Sequence, residues 1–267
     1  AESKGCQFSL WLNSKHARAY AVLAKPGAKQ IARLSGIPQE PQESSMCLGC
    51  HATGAHVEAW EKDDTFFVED GVQCEKCHGP GSEYMDAVVM ADREAAMKAG
   101  LMMPTVRNCL DCHQVKGSHV AVHKLPKLDI EKAWRDIAHP TRKQGEFEPM
   151  PKSSERPKIK SGQPEYVGVY VCGSCHKGPK YGYQFSKWRM SRHALAYAVL
   201  STPKAYAIAK EQGLKTSPRS SPACLKCHST FFADPAGGTR ESYCQHEGVG
   251  CEACHGAGGQ YIPEAIM

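Results

Sequence analysis

Gly71-Val72-Gln73-Cys74-Glu75-Lys76-Cys77-His78-Gly79-Pro80-Gly81 is the stretch on which the rest of the chain turns. It returns as Gly248-Val249-Gly250-Cys251-Glu252-Ala253-Cys254-His255-Gly256-Ala257-Gly258. The centre of both, Cys-x-x-Cys-His, occurs six times. The other four copies are Cys47/Cys50 with His51, Cys109/Cys112 with His113, Cys172/Cys175 with His176 and Cys224/Cys227 with His228. Each is the attachment signature of a c-type haem. Two thiols three positions apart reach the two vinyl groups on one porphyrin edge, and the adjacent histidine turns its imidazole under the iron as proximal ligand.

Cys-x-x-Cys pairs also build zinc sites and redox-active dithiols, and Cys47/Cys50 and Cys74/Cys77 stand at a plausible zinc-ribbon distance. Neither chemistry needs a histidine directly after the second cysteine. At the histidine content of this chain, six such coincidences have a chance of about one in 10^8. The sequence therefore predicts six haem c groups, with His51, His78, His113, His176, His228 and His255 as proximal iron ligands.

Hydrophobic residues make up only 41% of the 267 residues and aromatics 8%, thin for a chain of this size. Haem explains the shortfall, because each porphyrin is itself a large apolar plate. Six of them leave about 45 residues for each, so the haems are expected to lie close to one another. A formal charge of +5 is too small to argue for nucleic acid. No run of 18 apolar residues occurs, so no membrane-spanning helix is expected. The polar start, Ala1 to Gly5, leads straight into Cys6, and an exported protein is expected to stand here in mature form.

The chain repeats itself. Residues 5–84 match residues 182–261 at a constant offset of 177. Gln7-Phe8-Ser9 and Trp11 fall on Gln184-Phe185-Ser186 and Trp188, His16-Ala17 on His193-Ala194, and Ala19-Tyr20-Ala21-Val22-Leu23 on Ala196-Tyr197-Ala198-Val199-Leu200. The Cys109 and Cys172 motifs have no counterpart inside the chain. The underlying unit thus carries four haems, and each half here carries three. Lost outer motifs, a segment of something longer, and chain ends that complete one another between subunits all account for this. Residues 140–164, rich in Pro, Lys, Ser and Glu, read as a linker. The predicted organisation is a first unit over residues 1–145, a linker over 146–165 and a second unit over 166–267, with the boundary near residue 160.

The predicted fold class is mainly α with much irregular structure and very little β, packed around haem. Apolar residues fall at helical intervals over residues 8–24 and 185–200. Residues 204–212 predict a helix stopped by Gly213, and residues 86–99 and 128–138 predict two more. The haem-binding stretches are expected to be turn-like.

The order of these motifs resembles the tetrahaem cytochrome c554 family. It runs CxxCH (Cys172 to His176), Trp188 and His193 on a helix, CxxCH (Cys224 to His228), then the Gly-Val-x-Cys-Glu-x-Cys-His-Gly-x-Gly element of residues 248–258. The first copy supplies Trp11, His16, the Cys47 motif, residues 71–81 and the Cys109 motif. The resemblance implies electron transfer through closely packed haem pairs, parallel-stacked and perpendicular, with ammonia oxidation as one setting.

Seven histidines remain outside the motifs: His16, His56, His119, His123, His139, His193 and His246. The resemblance implies that His16 is the distal ligand of the Cys74/Cys77 haem, His193 that of the Cys251/Cys254 haem, and His139 that of the Cys109/Cys112 haem. His119, His123, His246 and His56 are further candidates. His56 follows His51 by only five residues and looks strained as a ligand to the same haem. The resemblance places the distal ligand of the Cys172 haem after the third motif, where residues 256–267 hold no histidine. His119, His123 or a histidine of another chain would then substitute. It also implies a five-coordinate second haem, equivalent to those at Cys47 and Cys224, open or closed by His246 and another of the surplus. Cys6 and Cys244 are left over, as a disulfide or as free or intermolecular thiols.

Haems ligated by histidine on both faces offer substrate no site on iron, so the sequence predicts an electron carrier with no catalytic residue. Its expected place is the periplasm or the extracellular space, its expected partners redox proteins. Identical subunits, placed head to tail in an extracellular conductive filament, would use the unmatched outer motifs. The alternative is a haem enzyme acting on a small nitrogen or sulfur species at a five-coordinate iron, with Tyr243 or His246 recruited as proton donor.

Overall fold

The structure, a computed structural model, describes residues 7–124, 128–139, 162–232, 237–240, 242–263 and 265–267. Short helices joined by turns make up most of it. Among the described residues strand pairing is confined to one parallel ladder, β1 (Glu165–Tyr166) against β2 (Gly238–Thr239). The fold is mainly α with much irregular chain, as the composition implies.

Two compact units divide at residue 148: Ala1–Glu148 and Pro149–Met267. Most of the expected linker, residues 146–161, lies outside the described residues, as do Cys6 and the boundary near residue 160. Glu165, assigned to the linker's end by composition, instead belongs to β1 of the second unit. There Arg240 binds its carboxylate at 2.6 Å.

The long helices predicted over residues 8–24 and 185–200 are each broken. In the first unit α1 (Gln7–Asn13) ends, and two 3-10 turns, His16–Arg18 and Ala21–Ala24, follow. In the second, Gln184–Arg189 is followed by turns and the 3-10 stretch Ala198–Ser201. The reason lies in the Gly-Val segments. Val72 N–H donates to the His16 carbonyl at 3.0 Å, and Val249 N–H to the His193 carbonyl at 3.0 Å. Trp11 and Trp188 donate back from their indoles to the Val72 and Val249 carbonyls, at 2.7 and 2.8 Å. A regular helix would keep the carbonyls of residues 16 and 193 for its own N–H groups four residues on.

Gly71 and Gly248 make that approach feasible. Their φ angles are +76° and +80°, and a Cβ would lie 2.6 and 2.5 Å from the His16 and His193 carbonyl oxygens. Only glycine tolerates both conditions. Thr53 and Thr230, again 177 apart, complete the lock: their N–H groups donate to the Gly71 and Gly248 carbonyls, and their hydroxyls accept from Gln73 and Gly250 N–H.

The remaining helices follow their end signals. Pro203–Glu211 starts at Thr202, whose hydroxyl accepts from Ala205 N–H, and stops before Gly213 at φ +67°. The helix expected over residues 86–99 is two, Ala87–Ala91 and Arg93–Lys98, because both Asp86 and Asp92 cap a new N-terminus with their side chains. Ile130–Ile137 begins after the cap Asp129. The apolar core is small. Tyr197, Leu200 and Leu225 form its buried cluster in the second unit, with Cys224 and Phe232 against it. Met46, Trp60, Met85 and Val88 stay exposed beside the motif segments, an apolar surface of the kind that porphyrin plates cover.

Candidate haem sites

The Cys-x-x-Cys-His segments are short helices, not the turns the sequence predicts. In the first unit they are Ser45–His51, Cys74–His78 and Val106–Leu110, the last continued by a turn through Cys112 and His113. In the second they are Val169–Cys175, Pro222–His228 and Glu252–His255. The physical reason is the spacing itself. Residues three apart share one helix face, so one helical turn presents both thiols to the same porphyrin edge.

The motif thiols lie at the surface of each unit's own packing. Cys74, Cys175, Cys227 and Cys254 are exposed, the other eight are half-buried, and none is in a disulfide. The Pro222–His228 helix shows how the two kinds of side chain are divided. Leu225 is buried in the apolar cluster with Cys224 against it, while Cys227, the second thiol of that motif, faces outward. An outward thiol is open to a porphyrin edge, whereas a core cysteine would be closed to it.

A proximal histidine needs a neutral ring with Nε2 turned to the iron, which a hydrogen bond from Nδ1 enforces. Four of the six have one among the described residues. His51 Nδ1 donates to the Ala19 carbonyl at 2.8 Å, and His228 Nδ1 to the Ala196 carbonyl at 2.5 Å. His78 Nδ1 donates to the Met102 carbonyl at 2.9 Å while Met102 N–H donates to the His78 carbonyl. His176 Nδ1 donates to Gln184 Oε1 at 2.6 Å. Ala19 and Ala196 lie in the broken stretches, so the lock that unwinds each helix also frees the carbonyl that orients a ligand. Burial holds His51 below the usual histidine range, against the pull of its bond to Ala19, which favours the neutral, metal-binding form.

These residues fit covalent haem. Each motif has two thiols three residues apart and an adjacent imidazole, and in four of the six the Nδ1 bond leaves Nε2 available to iron. Among the described residues no three His, Cys, Asp or Glu side chains converge as a bare metal ion would require. The family model for cytochrome c554 and c-prime matches residues 4–79 and 171–256.

The chain belongs to the cytochrome c554 family. The two matched segments are its two partial copies. No curated protein and no solved structure matches it. The chain is thus a multihaem c-type cytochrome with covalently bound haem, a class that carries electrons. No helix among the described residues is long and apolar enough to cross a membrane.

Motifs of one unit adjoin one another through their thiols. Cys112 is pushed up to about 11, first by burial and then by the charge and hydrogen bond of Cys50. Cys77 is raised by burial and by Cys109. In the second unit the hydrogen bond with Cys251 raises Cys172, and burial adds to it. Attachment points of the Cys47 and Cys74 motifs thus both adjoin the Cys109 motif, and those of the Cys172 and Cys251 motifs adjoin each other.

Two of the non-motif histidines stand beside motif rings in the first unit. His16 stands beside His113, ring centroids 5.9 Å apart, and His139 beside His78 at 5.8 Å. Two imidazoles on opposite sides of one iron, each bonded at about 2 Å, have centroids about 6 Å apart. His119 feels the charge of His51, and its Nδ1 is buried without a hydrogen-bond partner. His123 rests against Gly27, and His56 folds back over Gly49 of its own motif. In the second unit His246 packs on the Tyr197 ring at 4.7 Å, and burial lowers its pKa. The exposed His193 donates its backbone N–H to Ser191 Oγ at 3.2 Å. Tyr243 is buried, its hydroxyl accepting from Phe231 N–H at 2.9 Å.

The sequence did not mark Gln184, Met102 or the carbonyls of Ala19 and Ala196 as functional. Gln184 has a signal, since it recurs as Gln7 in the repeat; backbone carbonyls have none.

Glu252 organises the second unit. Its carboxylate accepts from Val167 N–H at 2.9 Å, Gly168 N–H at 2.9 Å and Gly258 N–H at 2.7 Å. It thereby ties the chain entering the Cys172 motif to the Cys251 motif. Glu247 accepts from Val169 N–H at 2.9 Å. Its other oxygen is buried without a partner, and burial pushes the carboxyl up to about 8.

Proposed function

We propose that this cytochrome passes electrons through six covalently bound haems, three in each copy, between redox partner proteins outside the cytoplasm. The observation that carries the reading is the pairing of motif and non-motif imidazoles, His113 with His16 and His78 with His139, at iron-spanning separations. An iron held on both faces has no position for substrate, so the chemistry left to it is gain and loss of one electron. Haem supplies that redox couple. The chain's own residues fix four of the six motif rings through Nδ1, burial favours the neutral form of His51 and His16, and the attachment points of neighbouring motifs lie together.

The family, whose haem is typically attached outside the cytoplasm, supports a periplasmic or extracellular setting. Continuation of the haem row through identical head-to-tail subunits is the larger-scale form of the proposal. Fibres in electron micrographs of native material support that form, and discrete particles alone remove it.

The test of the main reading is electron paramagnetic resonance of the oxidised holoprotein together with assays on nitrite and hydroxylamine. Low-spin signals, reversible reduction of every haem and no turnover are expected. A high-spin signal accompanied by turnover would move the chain to the enzyme class.

A further inference from the structure

His176 is one of the motif rings beside which no second imidazole stands among the described residues. Its Nδ1 is committed to Gln184 Oε1 at 2.6 Å, so Nε2 is the nitrogen that faces iron. The atom that meets Nε2 in the structure is not a nitrogen. It is Sδ of Met267, at 3.2 Å.

A turn delivers that sulfur. Met267 and Ile266 N–H both donate to the Pro263 carbonyl, at 3.2 and 2.8 Å. The turn is anchored upstream by Tyr261, whose hydroxyl donates to the Gly256 carbonyl at 3.0 Å, directly after the Cys251 motif. The tyrosine anchor recurs in the first copy at the offset of 177, where Tyr84 OH donates to the Gly79 carbonyl at 2.7 Å. The methionine turn does not: Met90, at the same offset from Met267, lies within the helix Ala87–Ala91.

We propose that the Met267 thioether is the sixth ligand of the haem at Cys172/Cys175, opposite His176. The inference rests on the haem reading above and adds to it a site of different chemistry from the paired histidines. A nitrogen and a sulfur on opposite sides of one metal lie about 4.3 Å apart, so Sδ must withdraw by about 1 Å from its present contact. Met267 is exposed and its turn is short, which leaves it that freedom. A neutral thioether stabilises ferrous over ferric iron relative to imidazole, so this haem has a higher potential than a histidine in the same place would give it.

The experiment is spectroscopic, on the full-length holoprotein and its Met267→Ala and Met267→His variants. Haem content is measured first by the pyridine haemochrome. Wild type is expected to show the near-infrared charge-transfer band of thioether-ligated ferric haem and, when reduced, one methionine methyl proton resonance shifted far upfield. Both signals vanish in Met267→Ala and in Met267→His with haem content unchanged, and one reduction potential falls in Met267→His. Full haem content with no thioether signal in wild type, or a signal that survives Met267→Ala, overturns this ligand assignment and leaves the electron-transfer reading standing. Absence of haem from the purified native chain would remove both.

Discussion

The two copies repeat each other bond for bond in the Gly-Val lock and at His51 and His228, and part where one motif meets the next. Trp11 and Trp188, Val72 and Val249, and Gly71 and Gly248 make the same contacts. His51 and His228 use the same carbonyl, that of Ala19 or Ala196. The carboxylates that follow the Gly-Val segments differ. Glu252 is buried and gathers N–H groups from two stretches of chain, whereas Glu75 is half-exposed and holds Gly81 N–H at 2.6 Å. Duplication has kept the machinery that presents imidazole to iron, and the surroundings have diverged according to which motif lies beside it.

Four perturbations sharpen that contrast, each read by denaturant unfolding of the holoprotein. The largest effect is expected from Glu252→Ala, which strips three N–H groups of their acceptor and costs about 4 kcal/mol, against about 1 kcal/mol for Glu75→Ala. Equal losses would show that the carboxylates are equivalent after all. Gly71→Ala and Gly248→Ala come next. Each places a Cβ against a backbone oxygen at positive φ and is expected to cost about 3 kcal/mol, the same in both copies. A tolerated alanine in one copy would break the claimed identity of the two locks.

A pH dependence set by a carboxyl of the second unit follows. Glu247 has its carboxyl raised from 4.5 to about 8 by burial, and its counterpart in the repeat is Asp70. The folded chain therefore keeps a proton that the unfolded chain releases between those values. This contribution is fully present below pH 4.5 and is lost as pH rises towards 8. Glu247→Gln is expected to flatten that slope; a slope that persists unchanged would assign it to another group. The smallest effect belongs to Trp11→Phe and Trp188→Phe, each losing one indole hydrogen bond for about 1 kcal/mol.

The motifs, the repeat and the helix before Gly213 were legible because each is written in side-chain identity at fixed spacing. The breaks at His16 and His193 were not. The apolar periodicity of residues 8–24 is genuine, and Leu12, Ala17, Tyr20, Ala21 and Leu23 are all buried, yet a backbone hydrogen bond from Val72, far along the chain, overrides it. Helical geometry in the motif segments was hidden by their glycines and prolines, yet Gly79 and Gly256 only end a helix, Pro222 starts one, and Gly49 and Gly173 are carried inside one. The proximal histidines needed only adjacency to be recognised. Three of their four orienting partners are backbone carbonyls and carry no side-chain signature, and the partners of His16 and His139 depend on tertiary proximity that no local pattern encodes.

The central claim is that all six motifs hold haem. The intact mass of the native chain, measured alongside iron content, tests it most directly. The account predicts a mass equal to the polypeptide plus six haems and six irons per chain; a mass carrying markedly fewer haems, or a native chain without a Soret band, would contradict it.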